Sequence, residues 1–349
     1  MSADLDDLYA RHQDRLEDFW NRRKNWPRFE REFRVFGRRV RLASNQTEGL
    51  ASADYSIPQY SVASPTDDAP FVIQLIVQPA PVPPGPAPDD LMRYIQYAGD
   101  GDWLAMQLGA WGHCQIDLRV GRALAVLTPE LAGQPELVSR CLLNTILTNL
   151  FIAGGLGLLH ATCLVRDARA LLLMAPHNAG KSTTALRLAL AGYALMSDSM
   201  VYVSPGPDGI QLLGFPVGRV KLRGDVLAEF PRLKPLLTPE PIRGETKHTL
   251  DLRRLDPALV YSSAVQSTAV DLCLLERREG HGTQWRPASR AEVMEAVMQS
   301  SLYFDTAAVW RRNLAAIDKL IARARLHHLL VGPGAGGIVQ AVETLQGKS

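Results

Sequence analysis

The alternation of hydrophobic and polar residues predicts that the first part of the chain is rich in β-strands. Apolar runs with strand spacing lie at residues 33–36, 40–42 and 71–77, and Gly37 marks a turn between the first two. The acidic segment at residues 1–20 has helical spacing instead. Further runs, separated by short turns, predict consecutive antiparallel strands at residues 94–97, 103–108, 113–120 and 123–127.

A proline-rich segment, QPAPVPPGPAPDD, interrupts this part at residues 78–90. Proline has a fixed φ and no backbone N–H, so the segment cannot enter a central strand or a helix interior. We expect it to be either an extended surface linker or a loop inside the first domain.

The pattern changes at Pro135, where helices and strands begin to alternate. A helix over about residues 136–151 and a glycine bend are followed by a strand ending near His160, a hairpin and the apolar strand 170–174. Further elements are expected at 181–191 (helix), 195–196 (strand), 289–301 (helix, opened by the capping-box residues Ser289 and Glu292) and 306–325 (helix).

These patterns predict an α/β protein in which a helix plus β-rich domain, residues 1–130, precedes an α/β domain, residues 131–349. The length of 349 residues agrees with two domains. With 46% hydrophobic residues, 21% charged residues and a net charge of +2, a disordered chain, a coiled coil, collagen and a nucleic-acid-binding protein are disfavoured. The four cysteines form no C-x-x-C pair, which disfavours a disulfide scaffold or a zinc site.

Two segments bear on the cellular location. The acidic N-terminus lacks the pattern of a secretory signal, so we expect a cytoplasmic protein. Residues 141–165 contain no charged residue and are long enough to cross a bilayer. Asn144, Gly154 and His160 are among the residues that interrupt this run, so we favour a buried helix and strand and expect no membrane partner.

The segment LLLMAPHNAGKSTTALRLAL, residues 171–190, has the order that a phosphate-binding loop requires. Loop amides and a helix N-terminus would face phosphates, which the Lys181 ammonium would reach, and the Ser182 hydroxyl would bind Mg²⁺. The motif G-x-x-x-x-G-K-[ST] has Ala175 in its first position here, and a chance loop before an ordinary helix is the alternative. The predicted nucleotide-binding residues are Ala175, Pro176, His177, Asn178, Ala179, Gly180, Lys181, Ser182 and Thr183.

Two further candidates follow apolar strands. Asp198 could bind Mg²⁺ directly or through water, could take the proton of an attacking hydroxyl, or could simply cap a turn. His160 ends the strand expected beside strand 170–174, which would bring its imidazole to the same edge of the sheet. A hydrogen-bonded core histidine is the alternative for His160.

The order of these elements resembles the C-terminal catalytic domain of HPr kinase/phosphorylase and related proteins, a P-loop fold akin to that of phosphoenolpyruvate carboxykinase. The family pattern is a strand with a terminal His, a hairpin, a strand, G-x-S-G-x-G-K-[ST], a helix and G-[YH]-x-L-x-[SA]-D-[DE]. Here it reads His160, APHNAGKST and GYALMSDS, followed by the turn and strand LGFPVGRVKL. Three positions depart from the pattern, because Ala175 and Asn178 replace glycines and Ser199 replaces a second acid.

The resemblance implies that Lys181 and the loop amides hold ATP, that Ser182 and Asp198 bind Mg²⁺, and that His160 or Asp198 assists the hydroxyl nucleophile. Lys221 corresponds to a basic residue of the family. Arg219, Lys221 and Arg223 alternate on a predicted strand, so Lys221 and Arg219 are candidate phosphate or substrate contacts, with a solvated strand face as the alternative. Arg243 and Lys247 are a second basic pair of the same kind.

The predicted function is ATP- and Mg²⁺-dependent transfer of the γ-phosphoryl group to a hydroxyl, on a serine of a protein or peptide or on a small molecule. The alternative is a non-catalytic nucleotide-binding module that orders a surface for a partner. An ATPase coupled to motion is disfavoured, because no residue stands out as an arginine finger. A homo-oligomer is compatible with the resemblance.

Overall fold

The structure is a computed structural model that describes residues 28–57, 70–176, 179–206, 209–242, 244–266, 269–278, 280–300, 306–332 and 334–347. The predicted N-terminal helix, together with His177 and Asn178 of the predicted phosphate loop, lies outside these residues. The chain is a mixed α/β protein, as the sequence predicts, and it divides into two units, residues 1–146 and 147–349.

The first unit contains a seven-stranded sheet of strands β1 (Phe29–Val35), β2 (Arg38–Ser44), β3 (Phe71–Val77), β4 (Ile95–Asp100), β5 (Trp103–Leu108), β6 (Gly112–Asp117) and β7 (Arg122–Leu127). Their order across the sheet is β1-β2-β3-β7-β6-β5-β4. Phe36 and Gly37 join β1 to β2 with positive φ angles of 56° and 76°, as a two-residue turn between twisted strands requires. The antiparallel pairing predicted for the four later strands is confirmed.

The sequence patterns do not predict one helix of the first unit or the two parallel pairings of β3. Strand β3 runs parallel to both β2 and β7, and parallel neighbours need a crossover connection. Helix α1 (Thr47–Ser56) lies on the chain between β2 and β3. It buries small residues, among them Gly49, Ser52 and Ala53, which give no apolar stripe for a periodicity argument to detect.

The proline-rich segment is a loop inside the first unit, without helix or strand over residues 78–90. The indole Nε1 of Trp111 donates a hydrogen bond to the carbonyl of Gly85 (3.0 Å), and Nε2 of Gln134 donates to the carbonyl of Ala87 (3.0 Å). Of the two expectations for this segment, the structure therefore agrees with the loop.

A run of helical segments follows, made of α2 (Pro129–Ala132), α3 (Pro135–Val138), a π-helical turn (Ser139–Leu143) and α4 (Asn144–Ala153). The division between the units falls within α4, later than the predicted boundary after residue 130, because the start of this run packs on α1. Ser56 Oγ, for example, lies 2.5 Å from Ser139 Oγ. The segment Pro135–Ala153 has a mean hydropathy of 1.2, enough for a membrane span by length and composition, and 61% of it is buried; core helices pass the same test.

Within the described residues, the second unit contains three sheets. The strands are β8 (Gly157–Leu159), β9 (Thr162–Arg166), β10 (Arg169–Met174), β11 (Ala194–Ser197), β12 (Val201–Gly206), β13 (Gly209–Gly214), β14 (Arg219–Arg223), β15 (Leu237–Ile242), β16 (Glu245–Asp251), β17 (Val265–Gln266), β18 (Val270–Arg277), β19 (Gln284–Pro287) and β20 (Arg325–Val331). The orders are β11-β9-β10-β18-β20-β19, β17-β13-β12-β8 and β14-β16-β15. The helices are α5 (Lys181–Leu190), α6 (Arg290–Ser300), α7 (Ala307–Ile321) and α8 (Ala335–Gly347).

The six-stranded sheet brings several strand ends to one edge. Strands β10, β18 and β20 are parallel, while β9 runs antiparallel to both β10 and β11. The C-terminal ends of β10, β11 and β18 therefore meet the N-terminal end of β9 at one edge, which we call the C-terminal edge of the sheet. In α/β sheets this is the edge where ligands commonly bind.

The prediction that His160 ends the strand beside β10 is wrong. His160 follows β8, which pairs with β12 in a different sheet, and β9 is the strand that pairs with β10. The chain turns between the two strands, where the N–H of Ala161 donates to the carbonyl of Leu159 (3.0 Å). Since β8 and the first four residues of β9 are buried and uncharged, the hydrophobic pattern shows one continuous run and does not reveal this break.

The predicted helices near the C-terminus are confirmed within the described residues. At the start of α6 the N–H of Ser289 donates to Glu292 Oε2 (2.7 Å), and the N–H of Glu292 donates to Ser289 Oγ (3.2 Å). This is the predicted capping box. The Thr306 hydroxyl likewise accepts from the N–H of Val309 (3.3 Å) at the start of α7.

Candidate functional site

The loop between β10 and α5 brings a helix N-terminus to the C-terminal edge of the sheet. Gly180 precedes the first residue of α5 and has a φ of 94°, a left-handed conformation that side chains disfavour. Its carbonyl accepts from the N–H of Thr184 (2.9 Å), which closes the first turn of the helix. The first backbone N–H groups of a helix have no partner inside it, so this turn presents hydrogen-bond donors toward the edge.

Lys181, the first residue of α5, has an almost buried side chain. Its Nζ donates to the carbonyls of Ala175 (2.7 Å) and Pro176 (3.3 Å) of the same loop. Burial lowers the pKa of Lys181, the Asp198 carboxylate raises it, and the charge of Lys247 lowers it again, with a net decrease. The ammonium is thus partly dehydrated, and it interacts electrostatically with one carboxylate and one other cation.

Asp198 is bound by hydrogen-bond donors from three elements. Ser182 Oγ of α5 donates to its Oδ2 (2.7 Å), and Thr162 Oγ1 at the start of β9 donates to its Oδ1 (2.6 Å). The backbone N–H of Lys221 on β14 lies 3.3 Å from Oδ2. Among the described residues, no basic side chain forms an ion pair with this carboxylate. The hydrogen-bond donors of Asp198 are therefore two hydroxyls and one backbone amide.

Two of the three positions that depart from the family pattern, Ala175 and Ser199, lie within the described residues, and their backbone conformations differ. Ala175 is not among the described residues with positive φ, so a Cβ there creates no left-handed strain. Ser199 has a φ of 75°, an uncommon conformation for a residue other than glycine, asparagine or aspartate. Strained backbone of this kind is often found at functional sites.

A cleft lies at this edge of the second unit. Its walls include His160, the start of α5 and Ser199, together with basic side chains of the three-stranded sheet. His160 thus reaches the candidate site, although by a different strand arrangement from the one predicted. We call the basic residues Lys221 and Arg223 of β14 and Lys247 of β16 the basic ribbon.

The basic ribbon follows from strand periodicity. On β14, Val220 and Leu222 are buried in the core, so Lys221 and Arg223 point to the opposite side. The predicted alternation is confirmed in this respect. Arg219 is placed differently, because its Nε lies 3.8 Å from Asp251 Oδ2 and it is not among the described residues that line the cleft.

Arg277 and Thr162 are site residues that the sequence analysis did not identify. Arg277 ends β18 and lines the cleft, and its Cδ lies 3.9 Å from where a Cβ on Gly180 would be. Thr162 reaches Asp198 because β9 pairs with β10 so that Thr162 lies opposite Leu173. Both placements depend on pairing between strands distant in sequence, for which a single sequence holds no local signal.

The donor set near Asp198 suits a hard cation. Ser182 and Asp198 offer hydroxyl and carboxylate oxygens, which Mg²⁺ prefers, and Mg²⁺ usually takes one or two such protein ligands besides phosphate and water. Among the described residues there is no group of three or more His, Cys, Asp or Glu side chains that could hold a metal by themselves.

No protein-family model and no curated protein matches this chain. One solved structure that is similar to it is the Hpr(Ser) kinase/phosphatase from Coxiella burnetii, at 14% identity and a TM-score of 0.31. The match covers 55% of this chain and 91% of that one. The relationship is a distant structural one.

Proposed function

We propose that the second unit binds ATP and Mg²⁺ at the C-terminal edge of its six-stranded sheet, in a P-loop, and transfers the γ-phosphoryl group to a hydroxyl. The observation that carries this proposal is the hydrogen bond from Ser182 Oγ to Asp198 Oδ2 (2.7 Å), beside Lys181 at the start of α5. This hydrogen bond places two oxygen atoms that could bind Mg²⁺ at the N-terminus of a helix, where the helix dipole and free amides favour the binding of phosphate.

The phosphates would be held by the first turn of α5, by Lys181 and by Arg277. The amides of the first turn and the helix dipole favour an anion. Lys181 Nζ donates to two neutral carbonyls in the structure, and a phosphate oxygen is a stronger acceptor for the same ammonium. Arg277, close to Gly180, adds a planar group that can bind two phosphate oxygens at once.

Ser182 and Asp198 would hold Mg²⁺. The ion would neutralise phosphate charge and thereby favour transfer when it is bound. Thr162 orients the carboxylate, because its hydroxyl occupies the oxygen that Ser182 does not contact. Such hydrogen bonds to a metal ligand commonly tune the affinity for the metal.

The chemistry requires a base near the acceptor. The acceptor oxygen forms a bond to the γ-phosphorus while the bond from phosphorus to the β,γ-bridging oxygen breaks, ADP leaves, and the hydroxyl proton goes to a base. Asp198 and His160 are the candidates for that base, and His160 lines the cleft. The acceptor would be a serine of a protein or peptide, or a hydroxyl of a small molecule.

A second candidate function is nucleotide binding without transfer. Ser199 stands directly after Asp198, so one carboxylate must serve either the metal or the proton. A protein specialised for binding would use ATP to order a surface for a partner, and would show no turnover.

The first experiment is thermal unfolding with and without ATP and Mg²⁺. Ligand at a hundredfold excess over its Kd should stabilise the wild type by about 2.7 kcal/mol. Lys181→Ala should lose this shift, whereas Lys319→Ala, which removes an exposed lysine near the end of α7, should keep it. An unchanged shift in Lys181→Ala would contradict the site, and no shift in the wild type would contradict nucleotide binding.

The same experiment tests Arg277 with a matched neighbour. Arg277→Ala should weaken ATP binding by about tenfold, as expected from the loss of a hydrogen bond to a charged group. Arg278→Ala should have no such effect, because the Nε of Arg278 lies 3.6 Å from Glu276 Oε1 and Arg278 is not among the described residues that line the cleft. Equal effects of the two variants would contradict the role given to Arg277.

A further inference from the structure

We infer that the cleft contains a second anion-binding subsite, formed by the basic ribbon, and that the hydroxyl acceptor carries a phosphate or carboxylate group that binds there. The inference rests on the proposed function, because it assigns the chemistry of the acceptor at the same site. It concerns Lys221, Arg223 and Lys247, which lie on strands away from the β10–α5 loop.

The three cations share one cleft with the start of α5. Lys221 and Arg223 lie two residues apart on β14, so they project to the same side of the strand. Lys247 on β16 projects into the same cleft, where Gly180 and Ser182 form part of the walls. An acceptor bound on the ribbon would therefore meet a nucleotide whose phosphates lie at the start of α5.

The pairing of β14 with β16 places two positive charges directly opposite each other. Arg223 is the register partner of Lys247, and like charges in this position destabilise a strand pair. Arg223 lies 3.3 Å from Asp225 and 3.7 Å from Glu245, but all three side chains are exposed, so these contacts are weak. An anion bound between the two cations would relieve their repulsion.

Lys247 differs from the other two cations of the basic ribbon in its electrostatic surroundings. Lys247 is half-buried, and among the described residues no carboxylate forms an ion pair with it. Its register partner on β15 is Glu240, whose two oxygens are bound to Lys221 and to the Thr249 hydroxyl. The charge of Lys247 also lowers the pKa of Lys181, which indicates that the two ammonium groups interact. An oxyanion bound at Lys247 would compensate the charge of this side chain.

Lys221 is fixed in place by a buried carboxylate. Its Nζ lies 2.5 Å from Glu240 Oε1, and Glu240, which is only 5% exposed, also accepts a hydrogen bond from the Thr249 hydroxyl. Holding a long side chain in one geometry lowers the entropy that is lost when a ligand binds. The ribbon therefore has one preorganised cation and two that repel each other.

The test separates this subsite from the nucleotide phosphates. The full chain is first saturated with Mg²⁺ and the β,γ-imido analogue of ATP, which fills the γ-phosphate position without transfer. Inorganic phosphate and acetate are then titrated at constant ionic strength while thermal unfolding is followed. We expect a further rise in Tm with phosphate, acetate or both, and the larger response tells a phosphate-bearing acceptor from a carboxylate-bearing one.

Variants assign the effect to the ribbon. Lys247→Ala should keep the shift caused by the nucleotide analogue and lose the further rise, whereas Lys234→Ala, an exposed lysine elsewhere in the second unit, should keep both. Arg223→Ala gives an independent check if Lys247→Ala folds poorly. The inference is overturned if neither anion adds a shift in the wild type, or if the rise persists in both ribbon variants.

Failure of the proposed function gives a different result. If the analogue produces no shift in the wild type, phosphate and acetate are titrated alone. A shift that Lys247→Ala abolishes and Lys181→Ala preserves would then support the ribbon as an anion site while the nucleotide site is rejected. A shift that neither variant changes, or no shift, would overturn the inference as well.

Discussion

Two aspartates at opposite edges of the six-stranded sheet have different kinds of hydrogen-bond partners. Asp271, near the start of β18, is fully buried, and both its oxygens accept hydrogen bonds from the Arg325 guanidinium, at 2.7 and 2.9 Å. Arg169 lies 3.7 Å from it and His327 Nε2 lies 3.4 Å from it. Asp198, at the C-terminal edge, is half-buried and is bound by two hydroxyls and one amide.

The difference lies in the charge of the partners. Cations surround Asp271, so its negative charge is neutralised within the fold, as a structural ion pair requires. The hydrogen-bond donors of Asp198 are neutral, and the Lys181 ammonium, which interacts with the carboxylate electrostatically, donates to backbone carbonyls rather than to Asp198. A carboxylate left in this state next to a helix N-terminus is suited to a cation that arrives with a ligand, which is the role proposed for Mg²⁺.

The largest expected effect is the loss of phosphoryl transfer in Asp198→Asn. The amide keeps the size of the side chain but removes the charge that would bind Mg²⁺ or accept the proton, so transfer should fall by about 10²- to 10⁴-fold. The unfolding free energy without ligand should change by less than about 1 kcal/mol, because the hydroxyl partners can still form hydrogen bonds. The transfer rate is measured with labelled ATP and an identified acceptor, and the free energy of unfolding is measured by urea unfolding.

The converse change is Asp271→Asn. Removing the charge leaves Arg325 and Arg169 without their anion, which should destabilise the protein by about 3 kcal/mol, the lower end of the range for broken buried pairs, because both arginines are partly exposed. Nucleotide affinity of the folded protein should stay within about twofold. Urea unfolding measures the change in stability, and titration with ATP measures the nucleotide affinity. A stable Asp271→Asn with poor ATP binding would reverse the contrast between the two aspartates.

Local sequence was sufficient for one wall of the candidate site. Gly180, Lys181 and Ser182 are consecutive, and their placement at the start of α5 follows from the order of strand, loop and helix. Asp198 follows β11, the next strand along the chain, so the succession of β10, α5 and β11 brings Asp198 close to the start of α5. The mixed α/β fold and the capping box of α6 were predicted for the same reason, since each depends on residues close together in sequence.

The other wall depended on pairing that a single sequence does not encode locally. Arg277 reaches Gly180 because β18 lies beside β10, although Arg277 is far from the loop in sequence. Lys247 reaches the cleft because β16 lies between β14 and β15. The interpretation of His160 failed in a related way, since only pairing distinguishes β8 from β9 within one apolar run.

The pH dependence of unfolding should distinguish the two edges. Burial raises the pKa of Asp271, but the nearby His327, whose Nε2 lies 3.4 Å away, and the hydrogen bonds from Arg325 outweigh it and hold the pKa below the ordinary value of 3.8. Its contribution to stability is therefore complete above about pH 3.8 and is lost as the pH falls through the lower folded pKa. Wild type should lose more unfolding free energy than Asp271→Asn below that pH, in urea unfolding at stepped pH. Parallel curves for the two proteins would contradict this assignment. Hydrogen bonds from Ser289 lower the pKa of Glu292 to about 2, and this second acid titrates in both proteins, so its contribution cancels in the difference.

The smallest expected effect is a gain at the Asp198 edge from Ser199→Asp. Ser199 has a φ of 75°, which aspartate tolerates better than serine, so the variant should fold without added strain. A second carboxylate beside Asp198 adds a ligand for Mg²⁺, and we expect Mg²⁺ to bind about threefold more tightly in the presence of ATP. Ser199→Asn is the matched control, because asparagine tolerates the same φ without a charge. If the two variants bind Mg²⁺ equally well, the effect comes from the backbone. If Ser199→Asp binds more tightly and also raises turnover, the single acid limits transfer, whereas tighter binding without any turnover favours the nucleotide-binding module.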